Sequence, residues 1–357
     1  MLEIVKERLE EGDVEGALKF ALDAGNPLIT VEILSLILKY VRNMEDYNLV
    51  LACINDAIND ITNPIDRVKA LSAAAEALYS TGAETTGWHY FEEAVHLAEG
   101  MELSKWRADA LAHIAGMMVL AGLVEDAYHY YAQAVEVIER SGEPYSAVVS
   151  MLSALADAIM EGADHIHDRR ALKFYSLARD IHLIINKRLT ASMVNEKIRT
   201  IEDVLKEGSV AVTKFLEVGD IDKAVFAVRY LQDEEKPVAL MNVAYWLFLH
   251  GQERLARVLL KDAYDMMFLQ DIRPKDIALE GVAYRLIKLG LLDDALNIAG
   301  IIKDEEISDR VLGRIALMYA RRGDKRKALE ILDIIKNESV KSKILKAIWG
   351  ERNVGHE

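Results

Sequence analysis

Chemistry-bearing side chains crowd most closely in the stretch ADHIHDRR, where Asp164, His165, His167 and Asp168 fall within five residues. Imidazole beside carboxylate is a donor set that transition metals accept. The spacing favours a plainer reading, because the two histidines are one residue apart in a loop with no cysteine nearby, as in a solvated insertion between helices. The acidic pairs Asp56/Asp60 and Glu92/Glu93 have the composition of acid–base or metal-assisted sites, and solvated helix faces explain them better. His96, His113 and His182 stand singly along helical stretches. There is no G-x-x-x-x-G-K-[ST], G-x-S-x-G, G-x-G-x-x-G or H-E-x-x-H, the local signatures of phosphate, acyl, dinucleotide and zinc chemistry. No catalytic residue, metal ligand or cofactor is therefore assigned. A helical enzyme whose site assembles from distant residues leaves no such trace, and stands as the third reading.

Composition sets the frame for the elements that must position any site. With 357 residues, 52% hydrophobic and 28% charged, the chain has ample material for a core throughout. No stretch alternates apolar and polar residues between turn signals, so the expected class is all-α. The formal charge of −15 opposes binding to phosphate backbones, which depends on Lys and Arg releasing counterions. Cys53 is the only cysteine and stands among Leu49, Val50 and Ile54, which predicts burial and suits a reducing compartment. The opening MLEIVKERLEEGD has no basic-then-apolar leader pattern, and no window approaches 18 uninterrupted apolar residues, so a cytoplasmic chain without a membrane span is expected. Four Gln and one Cys in a chain rich in Glu, Lys, Ile and Leu fit a thermophile.

The stretch 105–144, KWRADALAHIAGMMVLAGLVEDAYHYYAQAVEVIERSGEP, has two apolar stripes at helical spacing on either side of Gly122: Leu111, Ile114, Ala115 and Met118 before it, and Ala127, Tyr131 and Ala134 after. The spacing Gly, four residues, Ala recurs at Gly12/Ala17, Gly122/Ala127, Gly219/Ala224, Gly251/Ala256, Gly290/Ala295 and Gly323/Ala328. Gly82 keeps the register with Gly87 in place of Ala, and Gly162 reaches Ala171 only after four extra residues. Eleven residues before the glycines stand Leu71, Leu111, Met151, Leu240, Leu279 and Leu312; seven before stand Ala75, Ala115, Ala244, Ala283 and Ala316, with Leu155 the exception. A glycine that accepts positive φ ends the first helix, and the small residue after it lets the second pack close. Pro27, Pro64, Pro144, Pro237 and Pro274 fall at or just before predicted first helices, where a missing N–H costs nothing. Residues 28–60 form a weaker copy turning near Asn43.

This pattern resembles the tetratricopeptide repeat (TPR), whose helix–turn–helix unit carries a large apolar residue, a small residue, an aromatic and Ala-type positions at such spacing. Leu or Met replaces the usual Trp, and the glycines recur at 32 to 40 residues. The resemblance implies a right-handed superhelical solenoid of antiparallel helix pairs: N-terminal repeats over 1–186, an irregular joining helix over 187–208, and C-terminal repeats over 209–357 closed by a capping helix at 338–349.

In this family the first helices line a concave groove that holds a peptide segment. Transferred by register, the groove positions are Lys69, Glu76, Asp109 and His113, then Asn242, Tyr245, Glu280, Tyr284, Arg310, Arg314 and Arg321. The last seven form the expected peptide-binding set, with two tyrosines to grip a chain, Asn242 to bond its backbone and arginines to take a carboxylate. Tyr245 and Tyr284 equally fit stacking between repeats, and the arginines a solvated cationic end. Within the aromatic run, Tyr131 holds a core position, while Tyr128 and Tyr130 point elsewhere. Residues 303–357 hold thirteen Lys and Arg against ten Asp and Glu, a charge of +3 that leaves −18 on the rest. The expected function is a non-enzymatic scaffold for a protein or peptide partner. Single-stranded RNA binding is the alternative, and self-association between acidic and basic ends stays open.

Overall fold

The computed structural model describes residues 2–350. Among them the regular structure is entirely helical, and the chain divides into two compact units, Met1–Arg199 and Thr200–Glu357. The first unit is built from α1 (Leu2–Glu10) with α2 (Val14–Leu22), α3 (Pro27–Tyr40) with α4 (Met44–Asn59), α5 (Pro64–Ser80) with α6 (Glu84–Glu99), α7 (Ser104–Leu120) with α8 (Val124–Glu139), and α9 (Tyr145–Asp164) with α10 (Ala171–Ile184). The boundary falls inside α11 (Arg188–Glu207). The second unit pairs α12 (Ser209–Glu217) with α13 (Ile221–Val228), α14 (Lys236–Leu249) with α15 (Glu253–Leu269), α16 (Asp276–Leu289) with α17 (Leu292–Ile301) and α18 (Glu305–Arg321) with α19 (Lys325–Ile334), and ends on α20 (Glu338–Gly350).

Each pair is an antiparallel hairpin, and the hairpins stack in tandem. In the first unit α1, α3, α5, α7 and α9 pack successively on one another, as do α12, α14, α16, α18 and α20 in the second. Within each unit the first helices thus form one layer and their partners cover it. The buried positions follow the repeat: Leu71, Leu111, Leu240, Leu279 and Leu312 lie in the core with Ala75, Ala115, Ala244, Ala283 and Ala316 one turn later.

The turn glycines act as their spacing requires. Gly12, Gly82, Gly122, Gly219, Gly251, Gly290 and Gly323 all have φ between 75° and 85°. At Gly122 its N–H donates to the Val119 carbonyl at 3.0 Å and the Leu123 N–H reaches back to Met118 at 2.8 Å. That pair of bonds satisfies carbonyls the helix end would leave open, and the same two bonds recur at the other six glycines. The following alanines Ala17, Ala127, Ala224, Ala256, Ala295 and Ala328 are all fully buried. Asn186, at φ 59°, makes an equivalent turn between α10 and α11, since Asn tolerates this region better than most residues. Pro27, Pro64 and Pro237 stand in the first turn of their helices, Pro144 caps α9, and Pro274 precedes α16 by two residues.

Two sequence expectations are corrected. Gly162 is not a turn residue: α9 runs through it to Asp164, and Gly162 is buried where an added Cβ would lie 2.9 Å from the Tyr131 hydroxyl. The closeness of that phenol, not a left-handed turn, fixes glycine there. Cys53 is half-buried rather than buried, because the inward stripe of α4 runs through Val50, Ile54 and Ala57. Helix α9 is long and apolar enough to cross a membrane by length and composition; it packs on α7, α8 and α10 through Leu152, Leu155, Ala156 and Ile159.

Candidate functional site

In the second unit, the groove set bonds largely to itself. Glu280 on α16 is only 7% exposed, an expensive place for a carboxylate without partners. Arg310 on α18 supplies them, with Nε 2.9 Å from Oε1 and Nη2 3.2 Å from Oε2, and the Tyr284 hydroxyl donates to Oε1 at 2.7 Å. The Arg310 guanidinium holds the Glu280 carboxyl below its ordinary range, despite burial acting the other way. Burial first, and then the bond to Glu280, push the Tyr284 phenol up. The Arg314 guanidinium lies 3.9 Å from the centroid of the Tyr284 ring, a cation–π stack. One helix earlier, Arg285 on α16 donates to Asn242 Oδ1 on α14 at 2.7 Å. Tyr245 is half-buried on α14, and Arg321 is exposed in the last turn of α18. The structure therefore joins Glu280, Tyr284, Arg310 and Arg314 in one cluster, places Asn242 in a second contact with Arg285, and leaves Arg321 apart. These bonds run between successive first helices and act as clasps across α14, α16 and α18.

In the first unit, Lys39 on α3 pairs with Glu76 on α5, a clasp of the same kind. The junction between α7 and α9 differs. A cavity of about 450 Å³ opens there. Asp109, His113, Gly116, Met117 and Leu120 of α7 face Met151, Ala154, Leu155, Ala158 and Glu161 of α9 and His165 just after it, and Tyr131 and Ile138 of α8 form the floor. Small residues make this space: Ala112, Gly116, Ala154, Ala158 and Gly162 stand where larger side chains would close the helices together. The Tyr131 ring, 1% exposed, holds the floor by donating its hydroxyl to the Ala158 carbonyl at 3.1 Å and by packing edge-on against Phe174. Tyr128 also meets Phe174 edge-on, while Tyr130 stacks edge-on with His129.

The slot's titratable groups are two carboxylates, Asp109 and Glu161, two imidazoles, His113 and His165, and the Tyr131 phenol of the floor. Asp109 and Glu161 are both exposed, at the rim of the slot, and have no ion-pair partner among the described residues. Burial raises the Asp109 carboxyl above its ordinary value, opposed by the charges of Lys105 and Lys69. Burial, with the Lys69 charge, lowers His113 to about 4, so its imidazole is neutral at pH 7, and its Nε2 is buried without a hydrogen bond. The slot lining contains no Lys or Arg. Asp109 and His113 were legible from the repeat register. Glu161 was not, and His165 was read only within the ADHIHDRR loop, because the register there assumed a turn at Gly162. An opening of about 850 Å³ at Pro64, Leu97, Met101, Leu103 and Trp106 has only His96 and Glu102 as titratable neighbours.

The loop that raised a metal reading is tied up locally. Asp164 accepts from Lys197 Nζ at 2.9 Å and from the Tyr175 hydroxyl, and Asp168 is held by Arg170, which lowers its carboxyl. Among the described residues no three His, Cys, Asp or Glu side chains converge to hold a metal ion.

No family model matches the chain, and no curated protein matches it. Among solved structures it is similar to Ton1535 from Thermococcus onnurineus NA1, at 21% identity over 98% of both chains with a TM-score of 0.56, a likeness of fold alone. A circular tandem repeat protein with a novel repeat topology is matched over 98% of this chain and 87% of its own at 15% identity, but with a TM-score of 0.23 it carries no weight for the fold.

Proposed function

We propose that the chain is a non-enzymatic, cytosolic scaffold of TPR-like hairpins, wound as a right-handed superhelix, that binds a peptide segment or protein partner along its first-helix layer. One observation carries this reading: the layer is clasped by side chains at α3–α5, α14–α16 and α16–α18 but open at α7–α9, where a cavity of about 450 Å³ presents unpaired carboxylates over an apolar floor. That volume and mixed lining are typical of ligand sites. In the second unit the cluster at Glu280 bonds to itself, with Tyr245 and Arg321 as the remaining contact residues.

The test is affinity capture from native extract at low and high salt, with proteins and nucleic acid assayed in the same eluate. A stoichiometric protein that Ala154→Phe releases, because the ring fills the slot from an exposed position, supports the reading. Loss with Tyr245→Ala and Tyr284→Ala instead would move the site to the second unit. RNA retained at low salt without protein would replace the reading with nucleic-acid binding.

A further inference from the structure

The slot's geometry narrows the partner's chemistry, an inference that rests on the binding-face reading above. Helices α7 and α9 are each antiparallel to α8 and hence parallel to one another. Tyr131 fixes their relative level: its hydroxyl bonds the Ala158 carbonyl and lies within 3.5 Å of the point where a Cβ on Gly116 would stand, and within 2.9 Å of that on Gly162. Gly116 is therefore level with the turn Ala158–Gly162. Asp109 is then offset from Glu161 by about eight residues of helical rise, roughly 12 Å along the helix axes at 1.5 Å per residue. Between the two carboxylates the walls are Ala112, Met117, Ala154, Leu155 and Ala158, and no cationic side chain lines the space. Lys69 and Lys105 act on Asp109 only through their field, without an ion pair.

We propose that this slot receives an extended basic segment of the partner, with one Lys or Arg side chain at Asp109, a second at Glu161, and aliphatic residues over the floor between them. An extended chain advances about 3.3 Å per residue. Cations four residues apart on one face of the segment thus match the roughly 12 Å offset of the carboxylates along the helix axes, and each gains a charge-assisted bond to an exposed carboxylate that has no ion-pair partner among the described residues. His113, half-buried between their levels with its Nε2 buried and its imidazole neutral at pH 7, adds no opposing charge.

The experiment is fluorescence anisotropy of the full chain with a labelled peptide, Lys-Leu-Ala-Leu-Lys between glycine flanks. Saturable one-to-one binding is expected. Asp109→Asn with Glu161→Gln should weaken it by about tenfold or more. Replacing both peptide lysines by glutamine should abolish it, and moving them two residues apart should weaken it. Glu139→Gln with Glu143→Gln, exposed acids outside the slot, should change nothing. Equal binding to both double variants would reduce the effect to counterion attraction by a chain of net charge −15 and overturn the proposal. Ala154→Phe, which keeps both carboxylates, must also block the peptide. If a native partner is captured and lost in Ala154→Phe while the basic peptide never binds, the binding face stands and the basic chemistry alone falls.

Discussion

At the scale of single residues, Glu280 and Asp109 contrast a carboxylate bonded within the fold with an exposed one that has no ion-pair partner among the described residues. Both occupy first-helix positions of the repeat, yet Glu280 has spent its lone pairs on Arg310 and Tyr284 while Asp109 has kept its own. Because its folded carboxyl is held below the ordinary 4.5, Glu280 contributes stability that is full above that value and drains as pH falls through the lower folded one. Glu280→Gln should therefore lower the melting temperature at pH 7, with the gap to the parent closing below pH 4. A gap that stays constant with pH would mean that the ionised carboxylate is not the stabilising form. His113 behaves in the opposite chemical sense with the same direction in pH. Its folded value near 4 lies below the ordinary 6.5, so the unfolded chain takes up the proton first and stability is lost as pH drops from 6.5 towards 4. His113→Phe should shrink the fall in melting temperature between pH 7 and pH 5, and an undiminished fall would place the acid sensitivity elsewhere, with the fully buried, unpartnered His182 the next candidate.

At the scale of elements, the hairpin is written into the glycines. At Gly122, φ is 81° with nothing within 4 Å of an added Cβ, so Gly122→Ala tests backbone strain alone and should cost about 1 kcal/mol in denaturant unfolding. Gly87 tests the opposite case. It lies in α6, with an added Cβ 2.7 Å from the Tyr79 ring and 3.0 Å from the Ala75 carbonyl, so Gly87→Ala should cost about 1–3 kcal/mol by overpacking. Equal, negligible losses at both would contradict the two roles. These glycines also explain what the sequence made legible. Positive φ and close approach leave a fixed residue type at a fixed position, so the turns and the buried Leu and Ala stripes could be read directly. The Asn186 turn was missed because its residue type is less restricted. Glu161 was missed, and His165 was read only as part of a loop, because a glycine required by Tyr131 looks, in sequence, like a glycine required by a turn. The clasp at Glu280–Arg310 spans thirty residues between helices, and the register could bring those positions to one face without showing that they bond each other rather than a ligand.

At the scale of the whole molecule, the two compact units and the tandem stacking within each decide how a local change spreads. In a stack where each hairpin touches only its neighbours, stability is a sum of nearest-neighbour terms, and opening need not be global. Leu111 is fully buried in α7, beside the slot, and Leu111→Ala should cost about 2–5 kcal/mol locally. That loss should appear as faster amide hydrogen exchange in α5 to α10, whose hairpins meet α7 directly or through one neighbour. The clasped helices α16 and α18 belong to the other unit and should keep their rates. Acceleration spread evenly over both units would show that the chain opens as one cooperative body. A slot at α7–α9 could then not adjust to a partner without loosening the Glu280 cluster. Acceleration confined to the first unit means that the open junction can flex around a bound segment while the clasped stretch stays rigid.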